Sequence, residues 1–331
     1  MCIYINTTKK LRRLRRLNAT ARQQLRSTFS TYAVNNIINM KRLITLPVGL
    51  FLTVIALAQD TTTVDGPWKY SGMASINFSQ VSLTNWSQGG ESSYAINGLS
   101  AINLNYSEGK NSWDNSLDIG YGVQKIGERN PAKTDDHLEL LSKYGRKITG
   151  NWFLSGLLNF KTQFTEGYKE TETGRVVISD FISPGYVLLS IGMEYKKDDS
   201  FFVILAPISG KVTIVTNDSL SNVGSFGVEP GNKSRSEFGG TIKIGVNKDL
   251  MENVNFSSTL DLFSNYFNNP QNIDISWKAL LNMKINKYLS ANISTHLMYD
   301  NDIASVDTDG NPGGPKVQFK EILGVGFSYK F

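Results

Sequence analysis

Few residues in this sequence could carry acid–base or nucleophilic chemistry. The two histidines are His137, which directly follows Asp135 and Asp136, and His296. General acid–base catalysis needs such groups to converge across a cleft, whereas three consecutive strand residues point alternately to opposite faces. A lipid hydrolase would need a serine nucleophile beside His296 on the lipid-facing wall, but the alternation places His296 on the polar face of its segment. We therefore predict that the protein is not an enzyme.

Signatures of cofactors and metals are also missing from the sequence. No cluster has zinc-ligand spacing, and no nucleotide-binding motif of the Walker or dinucleotide type occurs. Residues 307–314, DTDGNPGG, are similar to a calcium loop but lack the glutamate that completes an EF-hand. We interpret them as an acidic turn, and we predict no metal and no cofactor.

Residues 40–58 have the three parts of a secretory signal peptide. Met40-Lys41-Arg42 is positively charged, residues 43–57 are apolar, and Ala56-Leu57-Ala58 matches a cleavage site. The apolar part is too short for a membrane-spanning helix. We predict a secreted chain that is cleaved after Ala58.

The residues before the signal peptide are strongly basic. Residues 1–39 hold eight Lys and Arg and no acid, and such a segment is also typical of a mitochondrial presequence or of a basic patch for nucleic acid or membrane surfaces. We favour an extension that results from a start codon assigned too early. The formal charge of the whole sequence is +5, and removing the ten basic residues of 1–58 leaves −5, so nucleic acid is not an expected partner.

The same cleavage removes Cys2, the only cysteine. The mature chain then has no disulfide framework, and a thiol enzyme is excluded. It would consist of a short N-terminal segment, 59–66, and one main domain, 67–331.

Apolar residues recur at every second position through most of this domain, as from Trp68 to Phe78 and from Ile273 to Ile285. A period of two predicts β-strands, because successive strand side chains point to opposite faces. Twelve strands are predicted, at 67–80, 94–106, 112–124, 137–146, 152–164, 185–196, 201–214, 238–247, 254–265, 273–285, 288–299 and 317–331.

The connections between these strands alternate in length. Those after the second, fourth and later even-numbered strands are short, and those after the odd-numbered strands are mostly long. Short turns at one end, long loops at the other and an even number of strands are typical of bacterial outer-membrane barrels. We therefore predict an all-β transmembrane antiparallel β-barrel of about 12 strands, located in the bacterial outer membrane, with both termini periplasmic.

The last strand is the clearest example of the predicted lipid-facing wall. Leu323, Val325, Phe327, Tyr329 and Phe331 alternate with small or polar residues, and we expect this strand to pair with the first. Outer-membrane lipid is thus a predicted partner. Phe327, Tyr329 and Phe331 also resemble the final-strand signal that barrel-assembly machinery reads, so we expect that machinery to bind the chain during insertion.

Charged residues of both signs occupy predicted inward positions. They can form interior ion pairs or line a narrow pore, because twelve strands lie between the filled barrels of 8 and the open barrels of about 16. The candidates are Asp114, Asp118, Glu139, Lys143, Lys161, Lys243, Asp261, Asp274, Lys278 and Lys284.

One predicted hairpin is apolar on both faces. There Leu188, Phe202 and Ile204 are inward candidates for an apolar ligand patch. Alternatively, they contact a plug formed by a folded-in loop such as 215–237.

Five short motifs are distinctive: NWSQGG at 85–90, KTDDHLE at 133–139, SPGY at 183–186, PISGKVT at 207–213 and FGVEPG at 226–231. They are similar to elements of a family of outer-membrane proteins from Bacteroidota, known as domain of unknown function 3078. The resemblance covers roughly residues 66–331, with Ile208-Ser209 in place of the family's Leu-Thr. It implies an outer-membrane barrel and no particular activity.

Two functions fit these observations. The first is a narrow channel or solute-uptake barrel, with a small solute as partner. The second is a non-conducting structural or surface-interaction barrel that acts through its extracellular loops.

Overall fold

The computed structural model describes residues 66–83, 90–171, 174–303 and 313–331. Residues 1–39, the predicted signal peptide at 40–58 and most of 59–66 lie outside the described part, as do most of the NWSQGG motif and of the predicted acidic turn at 307–314. Within the described ranges most residues belong to strands. The strands are β1 (Trp68–Val81), β2 (Ser93–Glu108), β3 (Asn111–Ile126), β4 (Ala132–Thr149), β5 (Trp152–Thr162), β6 (Gly167–Thr171), β7 (Gly174–Ser179), β8 (Gly185–Asp198), β9 (Phe201–Ile214), β10 (Ser234–Met251), β11 (Val254–Asn265), β12 (Ile273–Lys284), β13 (Leu289–Tyr299) and β14 (Gln318–Lys330).

Twelve of these strands form one closed antiparallel barrel. Their order around the ring is β1-β14-β13-β12-β11-β10-β9-β8-β5-β4-β3-β2. β1 pairs with both β2 and β14, so Ile76 lies opposite Gly98 on one side and Phe327 on the other. The sheet therefore has no open edge, as a barrel in hydrocarbon requires. The predicted fold class and the predicted pairing of the first and last strands are confirmed.

The two ends of the barrel differ as the sequence predicts. At one end the strands are joined by the short connections 109–110, 150–151, 199–200, 252–253 and 285–288. This end, which also holds the start of β1 and the end of β14, is called the short-turn end below. The opposite end is called the long-loop end.

The structure departs from the predicted strands at both ends of the barrel. β6 and β7 form a separate two-stranded hairpin inside a segment predicted to be a loop. β10 extends four residues beyond its predicted limits at both ends, because its polar flanks still pair with β9 and β11. Among the described residues, no helix is long and apolar enough to cross a membrane.

The outer wall of the barrel is apolar. Leu323 and Phe327 on β14 are 69% and 64% exposed. At the short-turn end, the rings of Trp68 and Trp113 lie 5.8 Å apart and both are partly exposed on this wall. Such a band, bordered by aromatic rings, is the outer surface expected of a membrane barrel.

Two connections at the long-loop end fold together. The first comprises the described residues of 163–184 and contains the β6–β7 hairpin; the second comprises residues 215–233. Val215, Leu220 and Val228 of the second form a buried apolar cluster, against which Val177 of β7 packs. These two connections are called the cap.

A short helix, α1 (Asp218–Asn222), lies in the second connection of the cap. It begins after Asn217, whose side-chain oxygen accepts hydrogen bonds from the backbone N–H groups of Ser219 and Leu220. This is the usual role of an asparagine at a helix N-cap, and it orders a segment too short to be helical alone. A 3-10 turn, Ser225–Gly227, follows.

Candidate functional site

An ion pair crosses the lumen near its middle. Lys278 of β12 contacts the carboxylate of Glu139 on β4. These strands are six positions apart in a ring of twelve, so they stand on opposite walls. The two side chains can therefore meet only through the interior of the barrel.

The pair belongs to a wider ionic layer. Lys161 lies 3.4 Å from both Glu139 and Asp261, and Lys243 lies 2.7 Å from Asp261. The amide of Asn159 donates to the second carboxylate oxygen of Glu139 at 2.9 Å. Glu139 thus has three donors from two strands, β5 and β12, as a buried carboxylate needs.

A second ionic layer lies closer to the short-turn end. Lys143 contacts Glu194 on β8 and lies 3.1 Å from Asp114 on β3. Lys196 lies 3.1 Å from the same aspartate, and Ser155 donates to Glu194 at 2.9 Å. Lys143 is 5% exposed and Glu194 is 2% exposed, so the pair formed by these two residues is shielded from solvent.

A third layer lies at the long-loop mouth. Lys211 of β9 lies 2.6 Å from Asp274, 3.3 Å from Asp300 and 3.4 Å from Glu237. One lysine therefore joins β10, β12 and the segment after β13. Its three acidic neighbours outnumber its single positive charge.

The cap is attached to that mouth by Arg235. Its guanidinium lies 3.1 Å from Asp302 and 2.8 Å from Glu237, and it donates to the carbonyl oxygen of Gly227 at 3.3 Å. Gly227 has a φ of 75°, and a β-carbon there would lie 3.0 Å from the Asp302 carbonyl oxygen. The second connection of the cap therefore reaches over the mouth as far as the segment after β13.

The KTDDHLE motif contributes to both the lumen and the cap. Asp135 is bound in the lumen by Lys320 of β14 at 2.7 Å and by His137 at 3.1 Å. Asp136 points to the other face and accepts from the backbone N–H groups of Phe164 and Thr165 at 2.7 and 2.9 Å. Consecutive aspartates therefore have different structural roles.

Ser183 of the SPGY motif is another cap anchor. It is completely buried, and its hydroxyl oxygen accepts from the Asn217 backbone N–H at 2.9 Å. Asn217 also donates its amide to Asp180 at 3.0 Å. The two connections of the cap are thus joined by hydrogen bonds as well as by apolar packing.

The outer side of the cap carries one surface ion pair. Asp218 at the start of α1 lies 2.6 Å from Lys233. The hydrogen bond from Lys233, together with its positive charge, lowers the pKa of Asp218 below its usual value. Both side chains are exposed, so the pair contributes little to stability.

His296 lies beside a serine, but inside the lumen. Its Nε2 is 3.0 Å from the Ser276 hydroxyl oxygen, and Lys278 lies directly opposite it across the strand pair. No acid hydrogen-bonds to its Nδ1 among the residues that the structure describes. His296 therefore lacks the acid partner of a three-membered catalytic arrangement among these residues.

The apolar candidates Leu188, Phe202 and Ile204 lie together. They belong to a cluster with Leu157 and Ala206 on the wall formed by β5, β8 and β9. This cluster has no member in common with the apolar cluster of the cap. The predicted alternatives, an apolar ligand patch and a plug contact, both stay predictions.

Two of the predicted lumen residues stand apart from the ion pairs. Asp118 lies in the electrostatic field of Glu139, Lys278 and Lys243, but makes no hydrogen bond or ion pair to another described residue. Lys284 lies at the short-turn mouth beside a cavity. The other eight candidates take part in the three layers.

Sequence reasoning missed Lys196, Lys211, Glu194, Arg235 and Lys320, which form ion pairs in the lumen. Alternation could have placed Glu194, Lys196 and Arg235 inward, because they share the parity of the inward candidates Leu188 and Lys243, and Lys320 lies on the small and polar face of the last strand. Alternation alone would have placed Lys211 outward, because β9 has a bulge between Leu205 and Ile208 that reverses its parity relative to Phe202 and Ile204. The identity of their partners required the order of strands around the ring.

At the end of the chain, Phe331 closes the barrel by backbone hydrogen bonds. Its N–H donates to the Gly72 carbonyl at 3.0 Å, and its carbonyl accepts from the Gly72 N–H at 2.8 Å. Its ring stacks on Tyr329, with centroids 6.1 Å apart, while Phe327 points outward. The predicted assembly signal is therefore part of the β1–β14 seam.

These features define a closed twelve-stranded β-barrel of the outer-membrane type. The model of the family described as "Protein of unknown function (DUF3078)" matches residues 78–168, which agrees with the resemblance seen in the sequence. No curated protein matches the chain.

Several solved outer-membrane barrels are distantly similar to the chain. The translocator domain of the autotransporter NalP from Neisseria meningitidis is 11% identical, with 88% of this chain and 98% of that chain covered and a TM-score of 0.34. The COG4313 outer-membrane channel from Pseudomonas putida F1 is 10% identical, with 82% and 98% covered and a TM-score of 0.37. Outer-membrane phospholipase A from Escherichia coli is 10% identical, with 82% and 93% covered and a TM-score of 0.34. Likenesses this distant carry no functional argument.

Proposed function

We propose that the protein is an outer-membrane barrel whose lumen is closed to solutes by its own side chains and which acts through its cap. The contact between Glu139 and Lys278 carries this proposal. It joins opposite walls, and it lies between two further ionic layers. A solute would have to break charged pairs in the interior at three levels.

The location in the outer membrane is supported by the closed sheet and by the apolar outer wall. In this proposal the signal peptide is cleaved after Ala58, and the barrel-assembly machinery recognises the strand that ends in Phe327, Tyr329 and Phe331. Short turns face the periplasm in bacterial barrels, so both termini lie on that side and the cap lies outside the cell.

A role for the cap is supported by its order and by its surface. Asp136 and Ser183 hold it in place, while Val176, Ile178 and Phe181 on or beside β7 are about half exposed. A folded cap that exposes apolar side chains is suited to binding another molecule. The surface-interaction function therefore fits the geometry better than the channel function, which stays an alternative.

Conductance in a planar lipid bilayer tests the proposal. The mature chain, residues 59–331, is expected to insert without discrete conductance steps, with folding verified by heat-modifiable migration in gels. Replacing both Glu139 and Lys278 by alanine removes the central pair and is expected to produce transient steps. Glu252→Ala in a short turn is the control and is expected to stay silent. Stable steps from the unmodified chain would overturn the proposal in favour of a channel.

A further inference from the structure

The short-turn mouth of the lumen differs electrostatically from the rest of the interior. Seven lysines deeper in the barrel each form at least one ion pair: Lys143, Lys161, Lys196, Lys211, Lys243, Lys278 and Lys320. Lys284 at the end of β12 and Lys330 at the end of β14 form none with any residue in the described ranges. Both continue the inward positions of their strands, so their ammonium groups face the mouth.

These two lysines share a cavity with two acids. The cavity has a volume of about 300 Å³, and its lining includes Lys284, Lys330, Asp249 and Glu252. One oxygen of Asp249 accepts from the amide of Asn255 at 2.9 Å, which fixes the carboxylate and leaves its second oxygen available. Within the part of the chain that the structure describes, no ion pair joins the lysines to these acids.

We propose that this cavity binds a small zwitterionic peptide, a molecule with one free amine and one free carboxylate. The ammonium groups of Lys284 and Lys330 attract its carboxylate, and Asp249 and Glu252 attract its amine. A simple anion would be opposed by the two acids, and a simple cation by the two lysines. The volume is at the lower limit for ligand pockets, which suits a dipeptide. This site opens at the short-turn end and does not depend on whether the lumen conducts.

The test is NMR of the mature chain in non-ionic detergent micelles, after reductive methylation of its lysines with ¹³C, which preserves their charge. The signals of the two mouth lysines are assigned from Lys284→Arg and Lys330→Arg. Titration with alanyl-alanine is expected to shift both signals with a dissociation constant in the millimolar range, since the groups are exposed. N-acetyl-alanyl-alanine and alanyl-alanine amide, each with one charge removed, are expected to bind at least about fivefold more weakly.

Matched variants separate the site from general charge effects. The double variant Asp249→Asn with Glu252→Gln is expected to abolish alanyl-alanine binding, read from the signals of the two mouth lysines. The double variant Lys284→Gln with Lys330→Gln is also expected to abolish binding, read from the signals of the dipeptide itself by saturation-transfer difference. Lys287→Gln changes a lysine that lies over the Tyr288 ring and does not line the cavity, so it is expected to leave binding unchanged. Equal binding of the acetylated dipeptide would show a simple anion site, and unshifted lysine signals would show no site; either result overturns the proposal.

Discussion

The central ion pair predicts a measurable energetic coupling across the lumen. In a double-mutant cycle, Glu139→Gln and Lys278→Met are made singly and together. The single variants each leave one charged partner in the interior, whereas the double variant leaves neither. The interaction free energy is the difference between the destabilisation of the double variant and the sum of the destabilisations of the two single variants.

The expected magnitude follows from the burial of the two side chains. Breaking a fully buried ion pair typically costs about 3–5 kcal/mol. The Glu139 side chain is 10% exposed, but that of Lys278 is 35% exposed and can be rehydrated after its partner is lost. Glu139 also keeps Lys161 and Asn159 as partners. We therefore expect a coupling of about 1–2 kcal/mol, below the value for a fully buried pair.

Urea-induced unfolding in lipid vesicles, followed by tryptophan fluorescence, measures this coupling. The control is the exposed pair of Arg129 and Glu91, which are 3.2 Å apart with side chains 69% and 49% exposed. Its coupling is expected to stay below about 0.5 kcal/mol. If the central pair also gave a coupling this small, water would have to reach both charges. The closed lumen would then be refuted, and the channel function would regain support.

Three further predictions concern single sites. The Ser290 hydroxyl is buried and has no hydrogen-bond partner among the described residues, whereas that of Ser209 donates to Ser190. Ser290→Ala should therefore raise the free energy of unfolding by about 1 kcal/mol, and Ser209→Ala should lower it by a similar amount. The two variants must change the free energy of unfolding, measured with urea, in opposite directions. Asp136→Asn weakens the charge-assisted hydrogen bonds that hold the cap, so trypsin should cut the β6–β7 hairpin faster than in the unmodified chain, with unchanged cutting as the contrary result. Because Lys233 lowers the pKa of Asp218 in the folded state, their pair stabilises α1 above the unfolded pKa of about 4 and is lost as the pH falls through the folded value. A carboxyl ¹³C titration should show this lowered pKa, and Lys233→Met should raise it; equal values in both chains would contradict the assignment.

Most of the barrel could be predicted from the sequence because a strand in a two-sided wall has a strict period. Leu323 to Phe331 show it most clearly, with apolar side chains facing out and small or polar ones facing in. The β6–β7 hairpin could not be predicted in this way. Its strands are short, and β7 is apolar on both faces: one face is exposed, and on the other Val177 packs against the second connection of the cap. The segment therefore lacks the apolar and polar alternation of the barrel strands.

The interior could be predicted only as a set of inward positions. Alternation identifies Glu139 and Lys278 as inward, but it is silent on which strands face each other across the ring. The contact between Glu139 and Lys278, which are 139 positions apart in sequence, depends on the closure of the barrel, on the tilt of its strands and on their number. The same limit explains why mixed charges alone left both a pore and a filled lumen as alternatives.

The strand order also gives a physical reason for the motifs. Asp135 binds Lys320 in the lumen while the adjacent Asp136 holds the start of the cap, and Ser183 joins both connections of the cap. A substitution of Asp136 or Ser183 would loosen the attachment of the cap to the barrel. The contacts of these motif residues all lie at the long-loop end. Together they hold the cap at a fixed place over the mouth. A channel with mobile outer loops would not need these buried anchors, and this is the strongest structural argument for a function at the cap.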